Sequence, residues 1–451
     1  MNNTTPHILD VPDLNIPRIV IVGGGFGGIE LAKKLRKAEV QIIMIDKHNY
    51  HTFQPLLYQV ATAGLEPDSI AFPLRKIFKH QKNFYFRMAH AECVLPQTNT
   101  LITNIGNIQY DYLVLATGST TNYFGLKDLT AHSLPMKSIP QALNLRSVIL
   151  QNFEKALLTD NISERESLMN FVIVGGGPTG VEMAGAMGEL KKHVLPTDYA
   201  ELDFRRMHIH LIEAGSRLLG GMSPQSSEKA LDFLKKFDVH VWLNTAVTTY
   251  NGLQLQMKNG KTLQTQTVIW SAGVMGNTIQ GLDTPAITRG QRIITDEINR
   301  VKGYNNIFAI GDLAAMISEN NPNGHPMLAP VAMQQGNLLA KNIVNLIKNN
   351  PTQPFKYFDK GSMATVGRNR AVVEVGKIKS QGFIAWFLWM TVHLMTLVGF
   401  RNKVVTLVNW MWSYFNYDRG IRLIIRPYRH QLPSSTPLPP TETSILPPIN
   451  N

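Results

Sequence analysis

The stretch Arg18-Ile-Val-Ile-Val-Gly-Gly-Gly-Phe-Gly-Gly28 decides the fold of this chain. Its first five residues form a short apolar run rich in β-branched side chains, which is typical of a buried strand. The glycine-rich loop follows directly, and residues 29–38 have helical character. A second buried strand is predicted at Val40-Gln-Ile-Ile-Met-Ile-Asp46. These elements predict one strand–helix–strand unit of an α/β fold with a parallel sheet.

The spacing of the glycines predicts what this unit binds. Gly23 lets the chain turn sharply, Gly25 has no side chain to block an approaching ligand, and Gly28 lets helix and strand pack closely. The helix N-terminus then presents free N–H groups and a positive dipole to an anion such as a pyrophosphate. Asp46 ends the second strand, where a carboxylate can accept hydrogen bonds from ribose hydroxyls. The stretch therefore predicts a dinucleotide site.

The pattern recurs about 150 residues later, after the apolar run 171–174. Here the spaced glycines are Gly175, Gly177 and Gly180, and Glu213 is the acid that ends the second strand. Glu213 lies further from its loop than Asp46 does, so residues 192–206 are interpreted as an insertion after the helix. A carboxylate there would repel the 2′-phosphate of NADPH and favours NADH, although the nearby Arg217 weakens that argument.

Composition excludes several classes of protein. The chain has 451 residues, of which 44% are hydrophobic and 17% charged. A chain of this length predicts two or three domains with a large core and is incompatible with wholesale disorder. Cys93 is the single cysteine, so an intramolecular disulfide, a cysteine zinc site and a dithiol redox pair are all excluded.

Positive charge concentrates near the C-terminus, beside aromatic residues. The chain carries a formal charge of +12, and residues 377–430 hold eight Lys/Arg against one acid, which is +7 of that total. Four of the six Trp lie in the same stretch, and Phe383 to Phe400 is almost continuously apolar. Cations among Trp, Phe and Leu favour an acidic membrane surface over nucleic acid. As one helix the 18-residue run would measure about 27 Å, close to a bilayer core, yet two helices lying on one face of the membrane are favoured.

Both glycine loops, with Ala116-Thr-Gly118 and Ile310-Gly-Asp312, resemble flavoproteins with two dinucleotide-binding domains, over about residues 18–376. The resemblance implies that the first loop binds FAD and the second binds NADH. It also implies that Gly311 and Asp312 lie against the ribityl-phosphate of FAD. Thr117, Gly118 and Gly273 are further candidate cofactor-binding residues on the same basis.

One branch of that superfamily fits better than the others. The segment Asn49-Tyr-His-Thr-Phe-Gln-Pro-Leu-Leu-Tyr-Gln-Val-Ala61 is similar to the one that follows the FAD strand in type II NADH:quinone oxidoreductases. Disulfide reductases and sulfide:quinone oxidoreductases need cysteine pairs that this chain lacks. The resemblance implies electron transfer from NADH through FAD to a membrane quinone, without proton pumping.

Two catalytic residues are implied by the same resemblance. Ala329-Pro-Val-Ala-Met-Gln334 resembles the quinone-site motif Ala-Gln-x-Ala-x-Gln, with Pro330 replacing the first Gln and Gln334 matching the second. An amide can bond a quinone carbonyl. Glu182, just after the second loop, matches a Glu assigned to the proton path for quinone reduction. An alternative interpretation is a simple acid near a helix N-terminus, and Glu30 holds the equivalent place after the first loop.

The sequence therefore predicts an α/β protein with two Rossmann-like dinucleotide-binding domains and a C-terminal membrane-associating helical region. The predicted segments are an FAD domain at 18–138 and 290–376, an NADH domain at 139–289, a membrane anchor at 377–430 and a disordered tail at 431–451. We expect a peripheral or monotopic homodimer on the cytoplasmic face of the cell membrane, with a single span as the alternative, and no metal or nucleic-acid partner. Alternative functions are an NAD(P)H-dependent reductase of a small electron-transfer protein and a basic flavoprotein that binds nucleic acid.

Overall fold

The computed structural model describes residues 9–283, 287–319, 321–416, 422–424 and 428. The predicted tail at 431–451 lies outside these residues. In chain order the strands are β1 (Arg18–Val22), β2 (Gln41–Asp46), β3 (Tyr50–Thr52), β4 (Ala71–Pro73), β5 (Phe84–Met88), β6 (Ala91–Leu95), β7 (Thr100–Thr103), β8 (Gly106–Gln109), β9 (Tyr112–Leu115), β10 (Ser119–Thr121), β11 (Leu134–Pro135), β12 (Phe171–Val174), β13 (Ile209–Ile212), β14 (Val239–Trp242), β15 (Val247–Tyr250), β16 (Gln254–Met257), β17 (Thr262–Gln264), β18 (Thr267–Trp270), β19 (Val274–Gly276), β20 (Ile293–Thr295), β21 (Ile307–Ala309), β22 (Ala314–Met316), β23 (Ser362–Thr365), β24 (Ala371–Val375) and β25 (Ile378–Gln381).

The α-helices of the described residues, in the same order, are α1 (Phe26–Lys34), α2 (Leu57–Ala61), α3 (Pro67–Ile70), α4 (Leu74–Ile77), α5 (Lys127–His132), α6 (Ile139–Leu158), α7 (Ile162–Met169), α8 (Pro178–His193), α9 (Leu195–Asp198), α10 (Pro224–Lys235), α11 (Ala329–Ile347), α12 (Phe383–Thr396) and α13 (Phe400–Asn416).

The first sheet has the order β21-β9-β1-β2-β5, and its strands are all parallel. The central strand β1 is apolar because both faces of such a sheet are covered, and Ile19, Val20 and Ile21 are fully buried. Strand β21 comes from late in the chain, after the second strand–helix–strand unit. The sheet therefore brings the Gly311 segment to the carboxyl edge where the first glycine loop leaves β1.

The second sheet has the order β11-β18-β12-β13-β14 and is also parallel. Helix α8 follows β12 and packs against this sheet, with Val181, Met183 and Met187 in the core. The predicted insertion at 192–206 contains the short helix α9 and a 3₁₀ turn before β13. Antiparallel strands β10 and β19 connect the two sheet units. The expected fold class, two α/β units plus a helical C-terminal region, is confirmed.

The C-terminal apolar run forms a helix pair in place of one long helix. Helix α12 ends at Thr396, and α13 begins at Phe400. Gly399 between them has φ +90° and packs so closely that a Cβ there would lie 2.1 Å from the ring of Phe72. Among the described residues, no helix has the length and apolar character required to cross a membrane.

The helix pair is attached to the body by its buried side. Ala385 and Trp389 of α12 belong to the same core cluster as residues of α8 and β24. Asn402 of α13 is buried, and its side-chain amide donates to the carbonyl oxygens of Asp68, Ser69 and Ala71 around α3. These contacts hold the two helices against the units that carry the glycine loops.

Candidate functional site

The first glycine loop has the geometry that its spacing predicts. Gly23 has φ +112°, and a Cβ there would lie 2.3 Å from the carbonyl oxygen of Ala116. A Cβ at Gly28 would lie 2.0 Å from the oxygen of Gly23, so helix and strand meet only because this residue is glycine. Gly25 is different, since nothing lies within 4 Å of its missing Cβ. The loop is thus tight on its protein side and open where a pyrophosphate would sit.

The second loop repeats this arrangement. Gly175 has φ +113°, and a Cβ at Gly180 would lie 1.8 Å from the oxygen of Gly175. Gly177 faces open space, as Gly25 does. Both loops therefore share the same backbone conformation, the same close contact at the third glycine and the same open space at the second, which indicates two binding loops of one kind.

Both strand-end carboxylates lie against their loops. The Asp46 carboxylate accepts from the backbone N–H groups of Gly24 and His48 at 2.6 and 2.7 Å. The Glu213 carboxylate accepts from those of Gly176 and Gly215, each at 2.6 Å. Backbone N–H donors hold each carboxylate beside its loop, and the longer connection before Glu213 does not alter that position.

The late Gly-Asp segment meets the first loop through α11. A Cβ at Gly336 of α11 would lie 2.5 Å from the oxygen of Gly27, so the two helices cross at van der Waals distance. The Gly311 N–H donates to the buried side-chain oxygen of Gln335 at 2.7 Å. Sequence reasoning missed Gln335, because a helical period alone does not tell which of two adjacent Gln faces inward.

A chain of polar contacts surrounds Asp312. The Ser119 hydroxyl donates to its carboxylate at 2.6 Å, and the Lys137 ammonium donates to the Ser119 hydroxyl at 3.0 Å. Burial lowers the pKa of Lys137, and the charge of Asp312 partly restores it. Ser119 and Lys137 have no motif around them in the sequence, so only the fold could bring them together.

Thr117, Gly118 and Gly273 lie at the junction of the two units. The Thr117 hydroxyl donates to the carbonyl of Asn277 at 2.6 Å, across the β10–β19 connection. Gly118 has φ +69° and open space around its missing Cβ. At Gly273 a Cβ would lie 2.6 Å from the ring of Phe124, so this glycine is needed for packing within the chain.

Glu182 is buried in the middle of the molecule. It is the fifth residue of α8, and it is 7% exposed. The Thr365 N–H makes a long hydrogen bond of 3.5 Å to its carboxylate. Burial raises the pKa of Glu182 to about 8, against the weaker opposing effects of the Thr365 N–H and the Trp389 indole. The indole Nε1 makes no hydrogen bond of ordinary geometry. A carboxyl group in this state can hold a proton at neutral pH and release it.

A cavity of about 90 Å³ lies between α2, α8 and the C-terminal helix pair, and its wall includes Thr365 and Trp389, which both interact with Glu182. We call it the aromatic pocket; its walls include Tyr58, Glu189, Trp386, Trp389, Trp410 and Tyr414. Thr365, whose N–H bonds Glu182, is also part of the wall. Trp410 donates from its indole to the Gln59 side-chain oxygen at 2.8 Å, which links the helix pair to the segment 49–61.

Gln334 has another set of contacts. Its amide nitrogen donates to the carbonyl of Phe358 and its amide oxygen accepts from the N–H of the same residue, both at 2.9 Å. It lines a second, outer cavity beside Pro354 and Lys356. The structure therefore places Glu182 behind the Thr365 and Trp389 wall of the aromatic pocket, whereas Gln334 holds the backbone of Phe358. Its contact with a quinone stays a prediction.

Comparison with known families gives the same picture. Residues 17–336 match the pyridine nucleotide-disulphide oxidoreductase family, and residues 360–416 match the NDH2 C-terminal domain. The type II NADH:quinone oxidoreductase NdhA of Mycobacterium tuberculosis is 36% identical over 420 residues, covering 89% of this chain and 88% of that protein. A type II NADH:quinone oxidoreductase of Haemophilus influenzae is 30% identical, covering 84% and 92%.

Solved structures show the same fold. NDH2 from Plasmodium falciparum in complex with NADH has a TM-score of 0.83 at 20% identity, covering 91% of this chain and all of that one. The sulfide:quinone oxidoreductase of Aquifex aeolicus has a TM-score of 0.69 at 21% identity, covering 88% and 95%. The two family matches and the identity to curated relatives over most of both chains agree, and this chain belongs to the type II NADH:quinone oxidoreductases of the pyridine nucleotide-disulphide oxidoreductase family.

Proposed function

We propose that the chain oxidises NADH at the second glycine loop and reduces a membrane quinone at the aromatic pocket. The net reaction converts NADH, one proton and quinone into NAD⁺ and quinol. The observation that carries the proposal is Glu182, a buried carboxyl group whose pKa is raised to about 8 next to a pocket walled by the C-terminal helices. Quinone reduction needs a proton donor at such a site.

FAD fits the first loop. Open space at Gly25 and the carboxylate of Asp46 suit a pyrophosphate and a ribose, and Thr117, Gly118, Gly311 and Asp312 complete the proposed contacts. The buried Nε2 of His51, next to the loop, has no partner within the described residues. When bound, FAD supplies the redox chemistry, accepting a hydride and giving up electrons. The chain supplies its position and its surroundings.

NADH fits the second loop, through Gly175, Gly177, Gly180 and the carboxylate of Glu213. We assign the FAD domain to 18–138 and 290–376 and the NADH domain to 139–289. Support for this division comes from the two parallel sheets, each of which holds one loop. Gly273 is a further proposed cofactor-binding residue, beside the ring of Phe124 near the junction.

The C-terminal helices present an apolar face that suits a lipid surface. Exposed side chains of α12 and α13 include Phe387, Met395, Phe400, Val408, Trp412 and Phe415. Arg401 and Lys403 lie beside them, at the start of α13. Apolar side chains flanked by cations favour binding to anionic membranes from one side. We propose a monotopic attachment on the cytoplasmic face, with quinone entering the aromatic pocket from the bilayer.

Vesicle binding and turnover test the proposal together. Purified yellow protein should oxidise NADH with a short-chain quinone and should float with vesicles that contain anionic lipid. Deleting 377–451 would open the core at Trp389, so the better variant replaces exposed side chains, as in Phe387→Gln with Phe415→Gln. It should lose flotation and keep activity with soluble quinone. The proposal would be contradicted if the protein reduced none of the quinones supplied, or if the variant floated with vesicles as the wild type does. Sedimentation of the same samples tests the proposed homodimer.

A further inference from the structure

Helix α8 carries two buried carboxyl groups on one side. Glu182 and Glu189 are seven residues apart, close to two helical turns, so they share a face about 10 Å apart along the axis. They are 7% and 8% exposed. His193 continues the row at the exposed end of the helix. Burying two carboxyl groups is costly, and placing both on the face that adjoins the aromatic pocket suggests a shared role.

The turn after β23 serves both groups. The Thr365 N–H bonds Glu182 at 3.5 Å, and the Arg368 N–H bonds Glu189 at 2.5 Å. Small residues between the two Glu allow this contact, since a Cβ at Gly185 would lie 2.8 Å from the Gly367 nitrogen. One loop therefore holds both carboxyl groups in fixed positions along the helix.

The aromatic pocket lies beside this face of α8. Glu189, Ala186 and Thr365 all belong to its wall, together with the polar residues Thr62 and Ser413. A volume of about 90 Å³ accommodates roughly three waters at ~30 Å³ each. A cavity of that size can hold a hydrogen-bonded water chain that runs from Glu189 to the Thr365 segment, whose N–H bonds Glu182.

Charged groups surround the outer end of the row. His193 faces Glu189, Lys192, Arg368 and Arg370, and burial lowers its pKa. The Arg368 guanidinium is engaged with the carbonyl oxygens of Ser413 and Tyr414 at the end of α13. His193 is exposed and can exchange protons with solvent.

We propose that Glu189 and His193 form the proton-entry route to Glu182. The inference rests on the proposed function. The hydride of NADH supplies both electrons and one proton of the quinol, and Glu182 gives the second proton to a quinone oxygen. Once the quinol has left and water refills the pocket, Glu189 returns a proton to the Glu182 carboxylate past the Thr365 segment, and His193 replaces that proton from solvent. The route thus delivers the one solvent proton that each NADH oxidation consumes. Glu189 acts through Glu182, and because it also lines the aromatic pocket its effect on quinone binding has to be measured separately.

The test separates proton delivery from electron transfer. FAD-loaded protein reduced by one equivalent of NADH is mixed in a stopped-flow instrument with a short-chain quinone or with ferricyanide, which takes electrons without protons. Glu189→Gln keeps an acceptor for the Arg368 N–H but cannot relay a proton. We expect quinone-driven reoxidation to slow by at least about tenfold, with the ferricyanide rate unchanged. Glu189→Asp should recover part of the rate, and exposed Glu228→Gln is the matched control.

Two further measurements distinguish the outcomes. Quenching of Trp fluorescence by quinone, which reports occupancy of the aromatic pocket, should give the same Kd in Glu189→Gln. His193→Gln should slow reoxidation in dilute buffer and recover with added imidazole, and this exposed substitution tests the route if Glu189→Gln does not fold. Unchanged quinone rates in these variants, or equal slowing with ferricyanide, would overturn the route. A wild-type protein that no quinone reoxidises would instead refute the proposed function.

Discussion

The carboxyl group of Glu182 would be ionised in water at neutral pH. In the fold it is buried between α8, which carries it, and β23, and the residue is 7% exposed. Burial raises its pKa to about 8, and one long hydrogen bond from Thr365 only partly opposes this. We propose this neutral acid as the proton donor. Quinone reduction should therefore fall as the pH rises through about 8.

Glu182→Gln tests that assignment. The variant should reoxidise with quinone at least about tenfold more slowly and should lose the alkaline limb of the pH profile, while ferricyanide reduction persists.

The stability of the fold provides a second measurement of the state of Glu182. Because the folded pKa lies above the unfolded value, the wild-type free energy of unfolding falls as the pH rises from about 4.5 to 8. The Tm of the variant relative to that of the wild type should therefore be higher at pH 9 than at pH 6. If the Tm difference between the two proteins were the same at both pH values, Glu182 would not be a buried, neutral acid.

The Glu213 carboxylate should decide which nicotinamide cofactor binds. It accepts from the N–H groups of Gly176 and Gly215, beside the second loop. Glu213→Gln removes the negative charge that opposes a 2′-phosphate. We expect the ratio of kcat/KM for NADPH to that for NADH to rise by roughly tenfold, about 1.4 kcal/mol. Steady-state kinetics with both cofactors measure the ratio, and an unchanged ratio would assign discrimination to another residue.

The two loops show how strand, turn and helix are built around single glycines. Gly28 is needed because the backbone oxygen of Gly23 lies 2.0 Å from its missing Cβ, whereas nothing lies within 4 Å of that position at Gly25. Gly28 is therefore required by the packing of the protein itself, whereas Gly25 leaves space that a ligand can occupy.

Alanine substitutions should separate these constraints. Gly28→Ala should lower Tm by several degrees and yield colourless protein, because α1 must move away from β1. Gly25→Ala should fold with an apo-protein Tm close to that of wild type but bind FAD at least about tenfold more weakly, since its Cβ meets only the pyrophosphate. FAD titration of the apo-protein with a thermal melt checks both. Wild-type FAD affinity in Gly25→Ala would show that the ligand does not approach there.

At the scale of the whole molecule, three histidines within the described residues predict sensitivity to acid. Burial lowers the pKa of His51, His210 and His393 to about 4 each. Each remains neutral in the fold while the unfolded chain takes up protons below about pH 6.5, so the free energy of unfolding falls as the pH drops from 6.5 toward 4. His210→Gln, which keeps an acceptor for the Trp242 indole, should lose less Tm than wild type between pH 7 and pH 5. Parallel melts at the two pH values decide this.

The sequence by itself determined the parts of this protein that depend on neighbours along the chain. A β-branched run, three spaced glycines and a terminal acid form a strand, a turn and a helix within 29 residues in the first unit and 43 in the second, so both loops, Asp46 and Glu213 were predicted in their places. Only the tertiary structure decided what depends on distant residues: the burial of Glu182 by Trp389, the inward direction of Gln335 beside an outward Gln334, and the end of α12 at Thr396 where Gly399 meets Phe72. The burial of Glu182, the direction of Gln335 and the length of α12 depend on packing between segments far apart in sequence. A pattern of neighbouring residues cannot predict such packing.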